Sequence, residues 1–139
     1  MILLDTDVVS ALMRAQPEQV VVEWLDKQPR TSVWITSITL MEIRYGLQIM
    51  PAGRRQNLMS KSFEILLASQ IEGRIAPFDS EAAERAASLM GARKAKGRPG
   101  DVEDTMIAGI AIATGAALAT RNVARFEDLP VPVVNPWTA

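Results

Sequence analysis

Met1-Ile2-Leu3-Leu4 is an apolar run that turns without a break into Asp5-Thr6-Asp7, and this junction constrains the fold more than any other feature of the chain. A short continuous apolar run reads as a strand buried on both faces. A buried strand that ends in carboxylates puts negative charge at the mouth of a sheet, where α/β proteins build their sites. The sequence contains no histidine and no cysteine, which excludes an imidazole base, a thiolate nucleophile and a zinc–sulfur cluster. What remains is oxygen chemistry: clustered Asp and Glu, the ligands of hard ions such as Mg²⁺ or Mn²⁺.

At 139 residues the chain is expected to form a single domain spanning 1–139, large enough for a real hydrophobic core. Apolar residues make up 48% and charged residues 22%, the balance of a chain that folds rather than stays disordered. No apolar run approaches the roughly 20 residues that cross a bilayer, and the N-terminus lacks the basic, then apolar, pattern of a signal peptide. A cytoplasmic protein without membrane attachment is the expectation. The net charge of −1 argues against a general nucleic-acid coat protein, yet leaves room for a local basic patch beside an acidic site.

Strand and helix signals alternate. The strand at residues 1–5 is followed by a short helix from Thr6 to Met13. Pro17 suits a helix first turn and leads Val20, Val21, Trp24 and Leu25 along one face until Gln28-Pro29. Ser32 to Thr36 is β-branched and aromatic, a second strand. A helix is expected from about Ser37 to Met50, broken by Pro51-Ala52-Gly53, and another over 54–72. Arg74 to Phe78 reads as a third strand. Asp79 or Ser80 caps an Ala-rich helix to about Lys96, and after the loop at 97–100 Asp101 opens a helix to Thr114. Strands at Ala116–Thr120 and Val131–Asn135 complete the pattern. Such alternation implies an α/β architecture with a mainly parallel central sheet flanked by helices.

The acids each have a local reading and a chemical one. Asp5 either caps the next helix or serves as a ligand. Asp7, within that helix, reads as a surface acid favoured by the helix dipole, with a supporting role in the site as the alternative. Glu42 follows Thr39 by three residues, the spacing of a capping box. If Ser37 is the cap instead, Glu42 lies deeper in the helix among apolar neighbours, where an acid needs a partner. Asp101, Glu103 and Asp104 could all be first-turn acids, but Asp104 aligns with the small residues Ala108 and Ala111 on a helix whose buried stripe is expected through Met106 and Ile110. Asp104 is therefore the site candidate, Asp101 its outer helper and Glu103 an edge residue. Thr120 and Asn122 end a strand and offer a hydroxyl and an amide oxygen. Parallel connections would bring these strand ends and helix starts to one edge of the sheet.

Read in order, Ile2-Leu3-Leu4-Asp5-Thr6-Asp7-Val8-Val9-Ser10, Ser37-Ile38-Thr39-Leu40-Met41-Glu42-Ile43-Arg44-Tyr45-Gly46, Asp104-Thr105-Met106-Ile107-Ala108-Gly109-Ile110-Ala111, Leu118-Ala119-Thr120-Arg121-Asn122-Val123 and Val134-Asn135-Pro136-Trp137 resemble a PIN domain. The likeness is to toxins of the VapC type, near the FitB branch, and it spans essentially the whole chain. It implies a Mg²⁺- or Mn²⁺-dependent endoribonuclease, the toxin of a type II toxin–antitoxin pair, cleaving tRNA or rRNA. It also implies a homodimer, inhibition by a VapB- or FitA-like antitoxin, and contact with DNA only through that antitoxin.

Carried over position by position, the acidic site would be Asp5, Glu42 and Asp104, with Asp5 and Asp104 as direct metal ligands and Asn122 completing the catalytic set. Thr6 and Thr120 would hold the carboxylates by hydrogen bonds, with Asp101 in support. The three carboxylates are expected within a few ångströms of one another, raising each other's pKa. One position departs from the family pattern. Relatives commonly carry Asp where Asn122 stands or three residues later, where Arg125 stands, and here neither is acidic; Asp101 is the compensating candidate. The missing acid also supports an alternative, a weakly active or inactive module that works mainly through an antitoxin in a DNA-bound complex.

RNA must reach an acidic site past its own repulsion. Arg93, Lys94, Lys96 and Arg98 form the densest basic cluster and are candidate RNA contacts, with Arg121 and Arg125 beside the strand end. Trp24 and Trp34 read as core, and Trp137 as an interface residue or one folded back on the domain.

Overall fold

The computed structural model describes all residues, Met1 to Ala139. Five strands, β1 (Ile2–Leu4), β2 (Val33–Thr36), β3 (Ile75–Ala76), β4 (Ala117–Ala119) and β5 (Val133–Val134), lie in the order β3-β2-β1-β4-β5. Every pair is parallel, with Ile2 opposite Val33 on one side and Ala117 on the other. The sheet expected to be mainly parallel is wholly so. Six helices flank it: α1 (Thr6–Met13), α2 (Gln19–Asp26), α3 (Ser37–Ile49), α4 (Arg54–Leu66), α5 (Ser80–Ala95) and α6 (Val102–Thr114).

Strand alternation divides the core. Successive side chains point to opposite faces, so Leu4 joins Val8, Val9, Val21, Ile35 and Phe63 against α1 to α4. Leu3 joins Ile107, Ile110, Leu118 and Phe126 against α6. Central β1 is therefore buried on both sides, which is why it carries no polar residue. The Ala-rich composition of α5 has a packing cause. A Cβ placed on Gly109 would sit 2.6 Å from the Ala82 carbonyl oxygen and 2.8 Å from the Ala86 Cβ, so α6 meets α5 through small residues at close range.

Several boundaries differ from the sequence reading. Helix α2 begins at Gln19, not Pro17, with Glu18 in the cap position. The expected helix over 54–72 changes pitch: α4 ends at Leu66, and Leu67–Ile71 forms a wider π turn closed by Glu72 in the left-handed region (φ 50°). The third and last strands are two residues each, because they pair on one side only. In α6 the buried surface is broader than one stripe: Thr105 and Ile107 to Ala111 are buried, whereas Met106 is only partly so.

From β1 the chain builds outward through β2 and β3, then returns to β1's other edge with β4 and β5. The carboxyl ends of β1 and β4 thus flank the point where strand order reverses, the crevice in which open α/β sheets bind ligands.

Candidate active site

Asp5 stands at that crevice. Its backbone N–H donates to the Ala119 carbonyl (2.9 Å), tying the end of β1 to β4. Its side chain accepts from the Thr6 N–H (2.8 Å) and from the Thr120 hydroxyl (2.8 Å), and only 6% of the residue is exposed. The capping reading of Asp5 holds, and the cap stands at the carboxyl end of β1. Burial, reinforced by the charge of Asp7, pushes its pKa up to about 7.

Glu42 comes from α3. The cap of that helix is Thr36, whose hydroxyl accepts from the Thr39 N–H (3.0 Å), so neither Thr39 nor Ser37 is the cap. Ser37 instead accepts from the Phe78 N–H (3.0 Å). Glu42 therefore lies in the second turn rather than in a capping box. Its Oε1 accepts from the Thr6 hydroxyl (2.7 Å), which also lies 3.1 Å from the buried Thr39 hydroxyl. The two threonines named as supports do hold carboxylates, Thr6 on Glu42 and Thr120 on Asp5. Partial burial raises the Glu42 pKa, with Asp104, Glu103 and Asp101 adding repulsion.

Asp104 opens α6 beneath its cap. Asp101 accepts from the Asp104 N–H (3.0 Å), so Asp101 is occupied as a helix cap and is exposed. Asp104 Oδ2 accepts from Arg125 (3.2 Å). Burial raises the Asp104 pKa first and Asp101 second, while Arg125 pulls it back.

Asp7 is the residue the sequence reading placed wrongly. It is not a free surface acid. Its Oδ2 accepts from the Arg121 N–H (3.1 Å) and from the Asn122 side-chain amide (3.2 Å). Its Oδ1 is buried with no hydrogen-bond partner, alone among side-chain oxygens and nitrogens. Burial raises its pKa as well. The available signal was positional: Asp7 follows β1 at the same sheet edge that Asn122 reaches from β4.

Arg93 is likewise corrected. It is 6% exposed, donates twice to Asp128 (2.8 and 2.9 Å), once to Thr105 (3.0 Å) and once to the Arg125 carbonyl (3.0 Å). A guanidinium so fully engaged is a structural tie, not an RNA contact. Lys94, Lys96 and Arg98 are exposed. Lys96 and Arg98 line a cavity of about 500 Å³ that reaches Asp104 and Arg125. Arg121 lies over the Trp137 ring (4.7 Å to the centroid) and 4.0 Å from Glu18. Trp137 folds back on the domain, its indole N–H donating to Glu18 and its ring against the core. Trp24 is buried and Trp34 partly buried against the core, as expected.

The donors at this edge are all oxygen, and the unpartnered Asp7 Oδ1 gives a buried acceptor that lacks a positive partner, which suits a hard cation. The close triad expected from sequence is absent: no three acids lie near enough together to hold an ion as they stand. Asp104 is turned to Arg125 and Glu42 to Thr6.

A family model described as PIN domain matches residues 2–131. This chain belongs to the PIN domain family. It is 37% identical over 137 residues to the VapC ribonuclease Y4jK of Sinorhizobium fredii, covering 99% of this chain and 98% of that one. It is 35% identical over 137 residues to toxin FitB of Neisseria gonorrhoeae, covering 99% of both. A solved structure of FitAB bound to an IR36 DNA fragment contains a chain 35% identical to this one, with a TM-score of 0.88 over 99% of this chain and 96% of that one. The acids of this PIN domain sit at the carboxyl edge of its parallel sheet, at the start of α1 and on α3 and α6.

Proposed function

We propose that this PIN domain is a divalent-metal-dependent endoribonuclease, the toxin of a type II toxin–antitoxin pair, acting on the phosphodiester bonds of tRNA or rRNA. The observation that carries the reading is the set of buried or half-buried carboxylates, Asp5, Glu42 and Asp104, all with raised pKa at the crevice where the strand order reverses. Acids raised by burial and by one another's charge at such a crevice point to a functional site.

Mg²⁺ or Mn²⁺ bound among these acids would orient and acidify water for in-line attack and offset charge developing on the phosphate. Asp5 and Asp104 would be its direct ligands, and Asp104 would exchange Arg125 for the ion. Thr120 fixes the Asp5 carboxylate and Thr6 that of Glu42, so two of the acids are oriented in advance. Once released, Arg125 would face the RNA backbone, with Lys96 and Arg98 along the adjoining cavity.

The partner half of the proposal rests on α3. Met41, Tyr45 and Ile49 recur at intervals of four residues and are 51%, 64% and 64% exposed, an apolar stripe one residue from Glu42. A VapB- or FitA-like antitoxin covering it would shield the acids as well, and DNA would be met only through that partner. A homodimer, and a higher assembly with antitoxin, complete the proposal. A monomeric mass in light scattering at micromolar concentration would count against the dimer.

Asn122 and Arg125 at the positions where an acid is expected favour a second reading, a weakly active module that works through its antitoxin. Purified protein incubated with a tRNA and rRNA pool in Mg²⁺, Mn²⁺ or EDTA, beside Asp5→Asn, decides between them. Discrete metal-dependent products, lost by on the order of a hundredfold or more in the variant, are expected, since partners one step removed from the ion already cost about 10- to 100-fold. Intact RNA with folded, antitoxin-free protein would leave the binding module as the better reading.

A further inference from the structure

The proposed site lacks an acid at 122 and at 125, yet the negative charge has not left the sheet edge. We infer that Asp7 supplies the fourth carboxylate of the ion site and that Asn122 is its positioning residue. The inference rests on the nuclease reading above and adds a residue to its site.

Three observations carry it. The Asn122 side-chain amide donates to Asp7 Oδ2 at 3.2 Å, and the Arg121 N–H donates to the same oxygen at 3.1 Å. Both donors thus fix one oxygen and leave the other uncommitted. Second, that other oxygen, Oδ1, is buried without a partner, an arrangement that costs stability in the ion-free protein. Third, Asn122 cannot replace an anionic ligand, because its nitrogen is turned to Asp7 and its oxygen is a neutral donor. The loop is held from the other side too, since the Asn122 N–H donates to the Thr120 hydroxyl (3.1 Å), which donates to Asp5 (2.8 Å). Asp5 and Asp7 are thereby linked through one loop, 120–122.

Asp101, the substitute suggested by sequence, caps α6 with one oxygen and is exposed, so it offers no buried acceptor. Arg125, at the other vacant position, brings a positive charge to Asp104. Only Asp7 combines a carboxylate, a place at the crevice and an uncommitted buried oxygen.

The test is a two-residue exchange: wild type, Asp7→Asn, Asn122→Asp, and the double variant, which keeps the composition and net charge of the wild type. Each is melted with and without Mn²⁺ and assayed for RNA cleavage. The expected result is that Asp7→Asn melts no lower than wild type without metal, because a buried carboxylate oxygen without a partner is gone, yet binds Mn²⁺ more weakly by on the order of a hundredfold or more, since partners one step removed from an ion already cost about 10- to 100-fold. The double variant should regain most of both the Mn²⁺-dependent rise in Tm and the cleavage. A purely structural role predicts the opposite, a lower metal-free Tm and an unchanged response to Mn²⁺. Wild-type Mn²⁺ affinity in Asp7→Asn, or a double variant no better than that single variant, would overturn the inference while leaving the nuclease reading intact. A wild type that neither responds to Mn²⁺ nor cleaves RNA would overturn both.

Discussion

Two charged clusters lie at the two sides of the α6 N-terminus, and they are built on opposite principles. Around Arg93 every charge has an answer. The guanidinium donates four hydrogen bonds, the Arg93 pKa is raised and that of Asp128 is lowered by their mutual bonding. Around Asp5 the acids outnumber their cationic partners, Arg125 on Asp104 making the one ion pair: Asp5, Asp7, Glu42 and Asp104 are all pushed up, burial being the first cause in each. Arg125 bridges the two, its carbonyl accepting from Arg93 and its guanidinium donating to Asp104. The contrast separates charge used to hold the fold from charge kept available. Structural ions are paired as they fold, whereas a site for a cation keeps its anions short of partners and bears the cost in stability until the cation arrives.

The largest effect that would break this comparison is in pH dependence. A carboxyl whose folded pKa lies above its unfolded value holds its proton more tightly when folded. Without metal, the contribution of Asp5 should therefore be greatest below about 4 and be lost as pH rises towards about 7, reaching up to about 4 kcal/mol. Asp128 has the opposite sign: its stabilisation is present above the ordinary carboxylate range and is lost as pH falls through its depressed folded pKa. Urea melts across pH, with Asp5→Asn alongside, check both limbs. The variant should flatten the limb between about 4 and 7 and leave the acid one; an unchanged neutral limb would mean that Asp5 is not the strained acid.

Next is Arg93→Met, which removes one partner of the tie and leaves Asp128 unpaired. It should cost about 3 kcal/mol, at the lower end for a broken buried pair because the Asp128 side chain is 36% exposed. The loss would appear as a lower urea midpoint with the m-value unchanged. RNA affinity of the folded fraction should hardly move; a large loss there would return Arg93 to the list of RNA contacts.

The smallest effect sharpens the same boundary from the solvent side. Lys96, exposed and without an ion pair, should contribute a single phosphate contact. Lys96→Ala should lower the slope of log affinity against log salt by somewhat less than 1, about 0.7 for single-stranded RNA, with stability within about 0.5 kcal/mol of wild type. An unchanged slope, measured by fluorescence anisotropy over a salt series, would take the cavity beside Asp104 out of the RNA path.

The alternation of strands and helices, the parallel sheet, the cap at Asp101 and the choice of Asp79 or Ser80 for the helix before it could be read from the chain, because each is set by residues a few positions apart: apolar period, a capping side chain, a Pro or Gly break. The ordered motifs around Asp5, Glu42, Asp104 and Thr120 were equally legible. The pairing of charges was not. Arg93 and Lys94 look alike in sequence, yet one is buried against Asp128, 35 residues away, and the other is in solvent. Asp7 looked like a surface acid of a helix start until β4 brought Asn122 to it across 115 residues. Sequence by itself determined which elements form and that carboxylates gather at one sheet edge, since backbone period and hydrophobicity are local. Tertiary structure alone decided which charges are satisfied and which are left waiting, since Coulomb energy and desolvation depend on distances and burial that exist only once the strands are side by side.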